Sequence, residues 1–258
     1  MSTRIAIAGA AGRMGQALAR AAGRDVVIAG GSERAGSDQV GRDMGGWTIS
    51  DAANKAAQTA DVWIDFTTPE ASLQALELLK LTRVKAAVVG TTGLSAAQEQ
   101  QIAEHAKRIA IVRDRNFSLG VNLMIGLVEQ VSARLGTDWD IEITEGHHRR
   151  KVDAPSGTAL MIGEAAAAGR KAKLGDLRVP PHDGITGPRK EGSIGFSVIR
   201  GGGIIGDHDA QFISEEEILS INHRALDRAI FAKGALAAAK WATDKGPGLY
   251  RMRDVLGL

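Results

Sequence analysis

The 258-residue chain is predicted to be an α/β protein: a doubly wound, parallel Rossmann-type sheet joined to a second, α+β domain built on an open mixed sheet. Three observations predict this. From Arg4 to Val112 short apolar strands alternate with helical stretches. Gly9-x-x-Gly12-x-x-Gly15 lies directly between the first strand and the first helix. After Asn116 the alternation stops, and helices lead into three closely spaced strands.

In order, Arg4–Ala8 reads as a buried strand and Gln16–Ala22 as a helix, with the glycines between them. Asp25–Gly30 is the second strand, and Gly36–Trp47 a polar, glycine-rich loop. Asp61–Phe66 is the third strand. Thr68 then caps a helix with Pro69 in its first turn. Lys85–Val89 is the fourth strand, ending in Gly90-Thr-Thr-Gly93. Ser95 caps the next helix, and Ile109–Val112 is the fifth strand. Leu119–Leu135 forms one long helix and Asp140–Glu145 a strand. A helix runs from near Ser156 to near Gly169, and Lys171–Gly192 is a proline-rich loop. The strands Ser193–Arg200, Ile204–Ile213 and Glu217–His223 follow, with Gly201–Gly203 as the first turn. A helix over Leu226–Thr243 precedes a short tail. If that helix returns to the first unit, residues 1–117 with 226–258 form the dinucleotide-binding domain. Residues 118–225 are then an inserted domain for substrate binding and oligomerisation.

Thirty-two basic against 30 acidic residues give a net charge of +2, and aromatics are 4% of the chain. Neither feature suits a general nucleic-acid binder. The absence of cysteine excludes disulfides and thiolate metal sites and fits a cytoplasmic location. No apolar run approaches a membrane span, and the short N-terminal apolar stretch lacks a signal-peptide pattern.

The glycine motif permits a tight turn, close approach to a pyrophosphate and close helix–strand packing. The helix N-terminus offers free N–H groups to phosphate. Glu33 follows the second strand, where a carboxylate takes the ribose hydroxyls of a dinucleotide. Arg34 beside it can meet a 2′-phosphate or stack on adenine, so NADH and NADPH are both open; an exposed Glu33–Arg34 charge pair is the alternative. Thr91 and Thr92, at a strand's carboxyl end, either touch the nicotinamide half or cap the next helix.

The stretch "EGHHRRKVDAPSGTAL" (145–160) concentrates the cations of a nearly neutral protein. The helix start at Ser156-Gly157-Thr158 makes an anion site. Lys151 and His148 can bind a second anion, and a small dianionic substrate accounts for both. His147 is left as proton donor, since imidazole titrates near neutral pH. A zinc site through Glu145, His147, His148 and Asp153 is disfavoured, because adjacent histidines rarely converge on one metal. The remaining histidines, His208 included, read as structural or exposed.

This stretch resembles the signature of the dihydrodipicolinate reductase (4-hydroxy-tetrahydrodipicolinate reductase) family. The likeness extends to "GAAGRMG" (9–15), "DFTTPE" (65–70), "GTTG" (90–93), "NFSLGVN" (116–122), "GSIGFSVIRGG" (192–202), "GDH" (206–208) and "GLYRMRDVL" (248–256). It implies reduction of a cyclic imine dicarboxylate by NADH or NADPH in lysine and diaminopimelate biosynthesis. It also implies a homotetramer formed largely through the sheet of the substrate domain. Carried over, His147 donates the proton; His148 and Lys151 bind substrate, with Lys151 assisting catalysis. Ser156, Gly157 and Thr158 hold a substrate carboxylate. Gly9, Ala10, Ala11, Gly12, Arg13, Met14, Glu33, Arg34, Gly90, Thr91, Thr92, Asn116 and Phe117 meet the cofactor. No metal is implied. The sequence departs from the family pattern at Gly146, where a looser backbone is expected, at Arg113-Asp114-Arg115 on the expected cofactor wall, and in a short loop after Arg34. Two other readings share the layout: an NAD(P)-dependent oxidoreductase for a different acid, and a dinucleotide-sensing protein without turnover.

Overall fold

A computed structural model describes residues 2–258. The chain forms two compact units, one running up to Leu119 and including Ala229–Leu258, the other Gly120–Arg228. The first begins β1 (Thr3–Ala8), α1 (Arg13–Ala21), β2 (Val26–Ser32), β3 (Ile49–Ser50), α2 (Ala53–Ala56), β4 (Val62–Asp65), α3 (Pro69–Leu78), β5 (Ala86–Val89), α4 (Ala96–Ala106) and β6 (Ala110–Arg113). Local chemistry sets the helix starts. Thr68 Oγ1 accepts from Ala71 N at 3.4 Å with Pro69 in the first turn of α3. Ser95 and Gln98 form a reciprocal capping box on α4. The caps of α4 are therefore Ser95 and Gln98, and not Thr91 or Thr92. The sequence reading missed β3 and α2, which are too short to show a period. β3 is held by its parallel pairing with Gly31 and Ser32.

The second unit contains α5 (Leu119–Ser132), β7 (Asp140–His147), α6 (Gly157–Gly169), α7 (Leu174–Leu177), β8 (Ile194–Arg200), β9 (Asp207–Ile213) and β10 (Ile218–Arg224). Its sheet order is β10-β9-β7-β8, with β7 parallel to β8 and antiparallel to β9. The glycine turn at 201–203 thus makes no hairpin. It starts a connection that carries the chain from one flank of β7 to the other. Ile141, Ile143, Phe196, Ala210 and Phe212 pack against Ile162 and Ala166 of α6 and Val128 of α5. β7 runs two residues beyond its predicted end, because Gly146 and His147 stay in the ladder beside Ile199 and Arg200. Gly146 also faces Asp207 of β9 and is buried, so the looser backbone expected there is not found.

Back in the first unit the chain forms α8 (Ala229–Ala242), β11 (Gly248–Tyr250) and α9 (Met252–Leu256). The predicted tail is instead structured. β11 adds to a wholly parallel seven-stranded sheet of order β11-β6-β5-β4-β1-β2-β3. Side-chain alternation divides its core between the two faces. Ile5, Ile7, Val62 and Ile64 pack with Leu18 of α1 and Leu236 of α8, whereas Ala6, Ala8 and Trp63 pack with Leu76 of α3 and Ile102 of α4. Among the described residues no helix is long and apolar enough to cross a membrane.

Arg113 is 2% exposed. It forks onto Glu99 at 2.6 and 3.2 Å and donates to the carbonyls of Val89 and Asp114. Asp114 Oδ2 accepts Met252 N at 2.9 Å, and Arg251 Nη1 donates to Arg113 O at 3.0 Å. These residues, expected at a cofactor wall, anchor the C-terminal segment. Arg113→Ala should lower the free energy of unfolding by about 3 kcal/mol, because it strips Glu99 and two carbonyls of a buried partner; urea titration measures it.

Candidate functional site

The sheet order of the first unit places a reversal between β1 and β4, the position at which open α/β sheets bind ligands beyond their strand ends. A cleft of about 400 Å³ opens there, lined by Gly9, Glu33, Arg34, Asp65, Thr67 and Thr68 among others. Gly9 has φ +58°, a left-handed conformation costly for other residues. A side chain on Gly15 would strike the backbone of Gly9 and Ala10. Gly12 caps α1 without a side-chain hydrogen bond, so the first N–H groups of the helix are left to a ligand, while the turn's own Ala10 N and Gly12 N donate to Ser32 O and Gly9 O. Glu33 Oε1 accepts Ala11 N at 2.9 Å, which brings the carboxylate onto the glycine turn itself. This donor set and cleft suit the pyrophosphate and ribose of a dinucleotide.

The neighbouring strand ends are braced internally. Asp65 Oδ1 accepts Thr67 N at 2.9 Å, Thr67 Oγ1 at 2.6 Å, Ser72 Oγ at 3.0 Å and Thr91 Oγ1 at 3.3 Å. Thr91 is therefore buried and committed, while Thr92 is exposed. Gly90 N donates to Asp65 O at 2.8 Å. Asn116 Oδ1 accepts Ser118 N at 2.8 Å, and the Phe117 ring lies in the core, edge-on to Phe66 at 5.2 Å.

In the second unit the strand period puts Glu145 and His147 on one face of β7. Glu145 is fully buried. Its Oε1 accepts Ser156 N at 2.9 Å and Arg200 Nη2 at 2.8 Å. Its Oε2 accepts Arg200 Nη1 at 2.9 Å and lies 2.6 Å from His147 Nδ1. Burial opposes ionisation most strongly. The hydrogen bonds from Arg200, His147 and Ser156 N–H together outweigh it and hold the carboxyl below its ordinary range. Arg200 also donates to Asp153 O at 2.7 Å, tying down the segment between β7 and α6. Ser156 Oγ accepts Ala159 N at 3.2 Å as the N-cap of α6, whose first turn is Gly157-Thr158-Ala159.

His147 and the start of α6 are thus drawn together around a group the sequence reading had considered only as a zinc ligand. His147 and the Ser156 turn share Glu145. Lys151 pairs with Asp153 at 2.9 Å, and that pairing lowers the Asp153 pKa. His148 is shifted down, by desolvation first and then by Arg150, Arg228 and His147. Among the described residues no group of three or more His, Asp or Glu side chains could hold a metal ion. Arg200 and His208 were missed. The alternation that pairs position 145 with 147 could have raised Glu145, but nothing local points to an arginine 55 positions away.

Known proteins are similar over nearly the whole chain. The family model "Dihydrodipicolinate reductase, N-terminus" matches residues 3–117, and "Dihydrodipicolinate reductase, C-terminus" matches residues 120–256. The 4-hydroxy-tetrahydrodipicolinate reductase of Cereibacter sphaeroides (strain KD131) is 52% identical over 265 residues, covering 98% of each chain. That of Caulobacter vibrioides is 52% identical over 257 residues, covering 98% of this chain and 97% of its own. Among solved structures, the dipicolinate-bound dihydrodipicolinate reductase of Paenisporosarcina sp. TG-14 shares the fold. Its TM-score is 0.81 at 23% identity, covering 97% of this chain and 98% of that one.

His208 gives the second unit a pH signature. Its ring stands edge-on to His147 at 5.3 Å, with Nε2 3.3 Å from Ser156 Oγ. Burial first, then His147, brings its pKa down to about 4. The folded state therefore resists a proton that the unfolded chain accepts near pH 6.5. The contribution is complete above about pH 6.5 and is lost as pH falls toward 4, on the order of 3 kcal/mol over the window. His105, His148 and His223, also shifted down, act in the same sense. Melting temperature should fall on acidification through this range, and His208→Gln should make the fall shallower; calorimetry at pH 7, 6 and 5 checks it.

Proposed function

The chain belongs to the dihydrodipicolinate reductase family, and from that premise we propose that it reduces 4-hydroxy-tetrahydrodipicolinate to tetrahydrodipicolinate in lysine and diaminopimelate biosynthesis. Bound NADH or NADPH supplies the hydride. The unit up to Leu119 with Ala229–Leu258 is the dinucleotide-binding domain, and Gly120–Arg228 binds substrate and forms the oligomer. Gly9, Ala10, Ala11, Gly12, Arg13 and Met14 hold the pyrophosphate through the turn and the α1 N-terminus. Glu33 takes ribose hydroxyls, and Arg34 is free to meet a 2′-phosphate. Gly90, Thr91, Thr92, Asn116 and Phe117 serve the nicotinamide half. With Thr91 Oγ1 and the Phe117 ring already engaged in the protein, those two residues offer backbone groups.

Ser156, Gly157 and Thr158 cradle one carboxylate of the substrate at the α6 N-terminus. Lys151 and His148 take the other, Lys151 exchanging Asp153 for the substrate. His147 supplies the proton from its imidazole. The observation that carries this reading is the buried carboxylate of Glu145. It holds the imidazole of His147 and the first N–H of the Ser156 turn in one hydrogen-bonded set.

The chain assembles as a homotetramer through the face of the four-stranded sheet opposite α6. Support comes from Ile199 and Ile218 on that face, which are 53% and 64% exposed in the single chain. Light scattering should give the mass of four 27.1-kDa chains, and Ile199→Glu should reduce it.

NADH and NADPH oxidation with freshly condensed substrate tests the activity. His147→Gln should lower kcat by about 10²-fold or more while NADH affinity stays unchanged. Equal loss of both would remove the proton-donor role.

A further inference from the structure

We propose that Glu145 is the positioning residue for the His147 proton donor: it fixes hydrogen on Nδ1, so that Nε2 is the atom that passes a proton to the substrate. This rests on the reductase reading above and adds a residue to it.

The argument is one of donors and acceptors. An ionised carboxylate can only accept. Glu145 is ionised, and its four close contacts are Ser156 N, both terminal nitrogens of Arg200, and His147 Nδ1. The 2.6 Å contact therefore requires hydrogen on Nδ1. The carboxylate cannot swing away, because the Arg200 fork is itself fixed on the carbonyls of Ile199 and Asp153, each at 2.7 Å. On the other side of the ring the connection from β8 to β9 passes close by. Gly201 N donates to His147 O at 2.9 Å, and a Cβ on Gly206 would lie 3.2 Å from His147 Nε2. Glycine at 206 keeps that nitrogen uncovered. His208 of β9, neutral at working pH, and His148 also lie near the ring, as does the Arg200 guanidinium on the shared Glu145 oxygen.

In the transfer the Nε2–H bond breaks and a C–H bond forms at the substrate carbon that becomes nucleophilic once hydride has added. The electron pair left on Nε2 restores the neutral ring, with Nδ1–H still on Glu145. Solvent then reloads Nε2.

The test uses the full chain labelled with ¹⁵N-histidine, with NADH bound, the His147 signals being assigned through His147→Gln. At a pH where the ring is neutral, ¹⁵N NMR should show hydrogen on Nδ1 and a bare Nε2; hydrogen on Nε2 overturns the proposal. In Glu145→Gln the tautomer should become mixed. Its kcat should fall at least about tenfold with NADH affinity near wild type, and Glu145→Asp, which keeps the charge, should recover part of the loss. Wild-type kcat in Glu145→Gln, or kcat and NADH affinity falling together, overturns it as well. Should Glu145→Gln fail to fold, the wild-type spectrum decides alone. A wild-type protein that does not turn over the pathway substrate would sink the functional reading, a result distinct from any tautomer measurement.

Discussion

A carboxylate sealed from water must be matched by donors, since an unpaired buried charge costs several kcal/mol. Glu145 meets that demand from separate parts of the second unit. Its partners are the guanidinium of β8, the imidazole two residues along its own strand, and the first N–H of the α6 cap. The segment between β7 and α6 has little apolar anchorage of its own; Val152 is 97% exposed. Its path is set because both its ends, and the Asp153 carbonyl within it, are bound to the Glu145–Arg200 pair. The positions of the His147 imidazole and of the α6 N-terminus thus follow from one electrostatic requirement.

The first unit uses the same device. Asp65 at the end of β4 collects hydroxyl and N–H donors from Thr67, Ser72 and Thr91 and so braces the strand ends of β4 and β5. Asp114, after β6, receives Arg115 N and Met252 N and thereby holds α9. Each acid sits where a strand stops and its ladder can no longer satisfy the backbone. Side-chain acceptors there convert loops into fixed geometry, which a ligand cleft requires.

The cations of residues 147–151 lie together in a chain whose net charge is only +2. Their environments divide them. Arg149 and Arg150 are exposed. Lys151 is held by Asp153, and Arg200 is neutralised by Glu145. His208 is kept neutral by burial, so it adds no charge beside His147.

The amino-acid sequence by itself determined what depends on near neighbours. The positive-φ turn at Gly9, the caps at Thr68, Ser95 and Ser156, the doubly wound order of strands and helices, and the family likeness all lie in short windows whose chemistry is complete within them. Tertiary structure alone decided the rest. It brought Arg200 onto Glu145, set His208 against His147, passed the 201–206 connection over the end of β7, turned the Arg113 side chain inward onto Glu99, and set Asp114 to hold the C-terminal segment. The reason is physical. Caps and turns are settled by the few residues that make them, whereas a buried charge finds its partner only after strands far apart in the chain have locked into register.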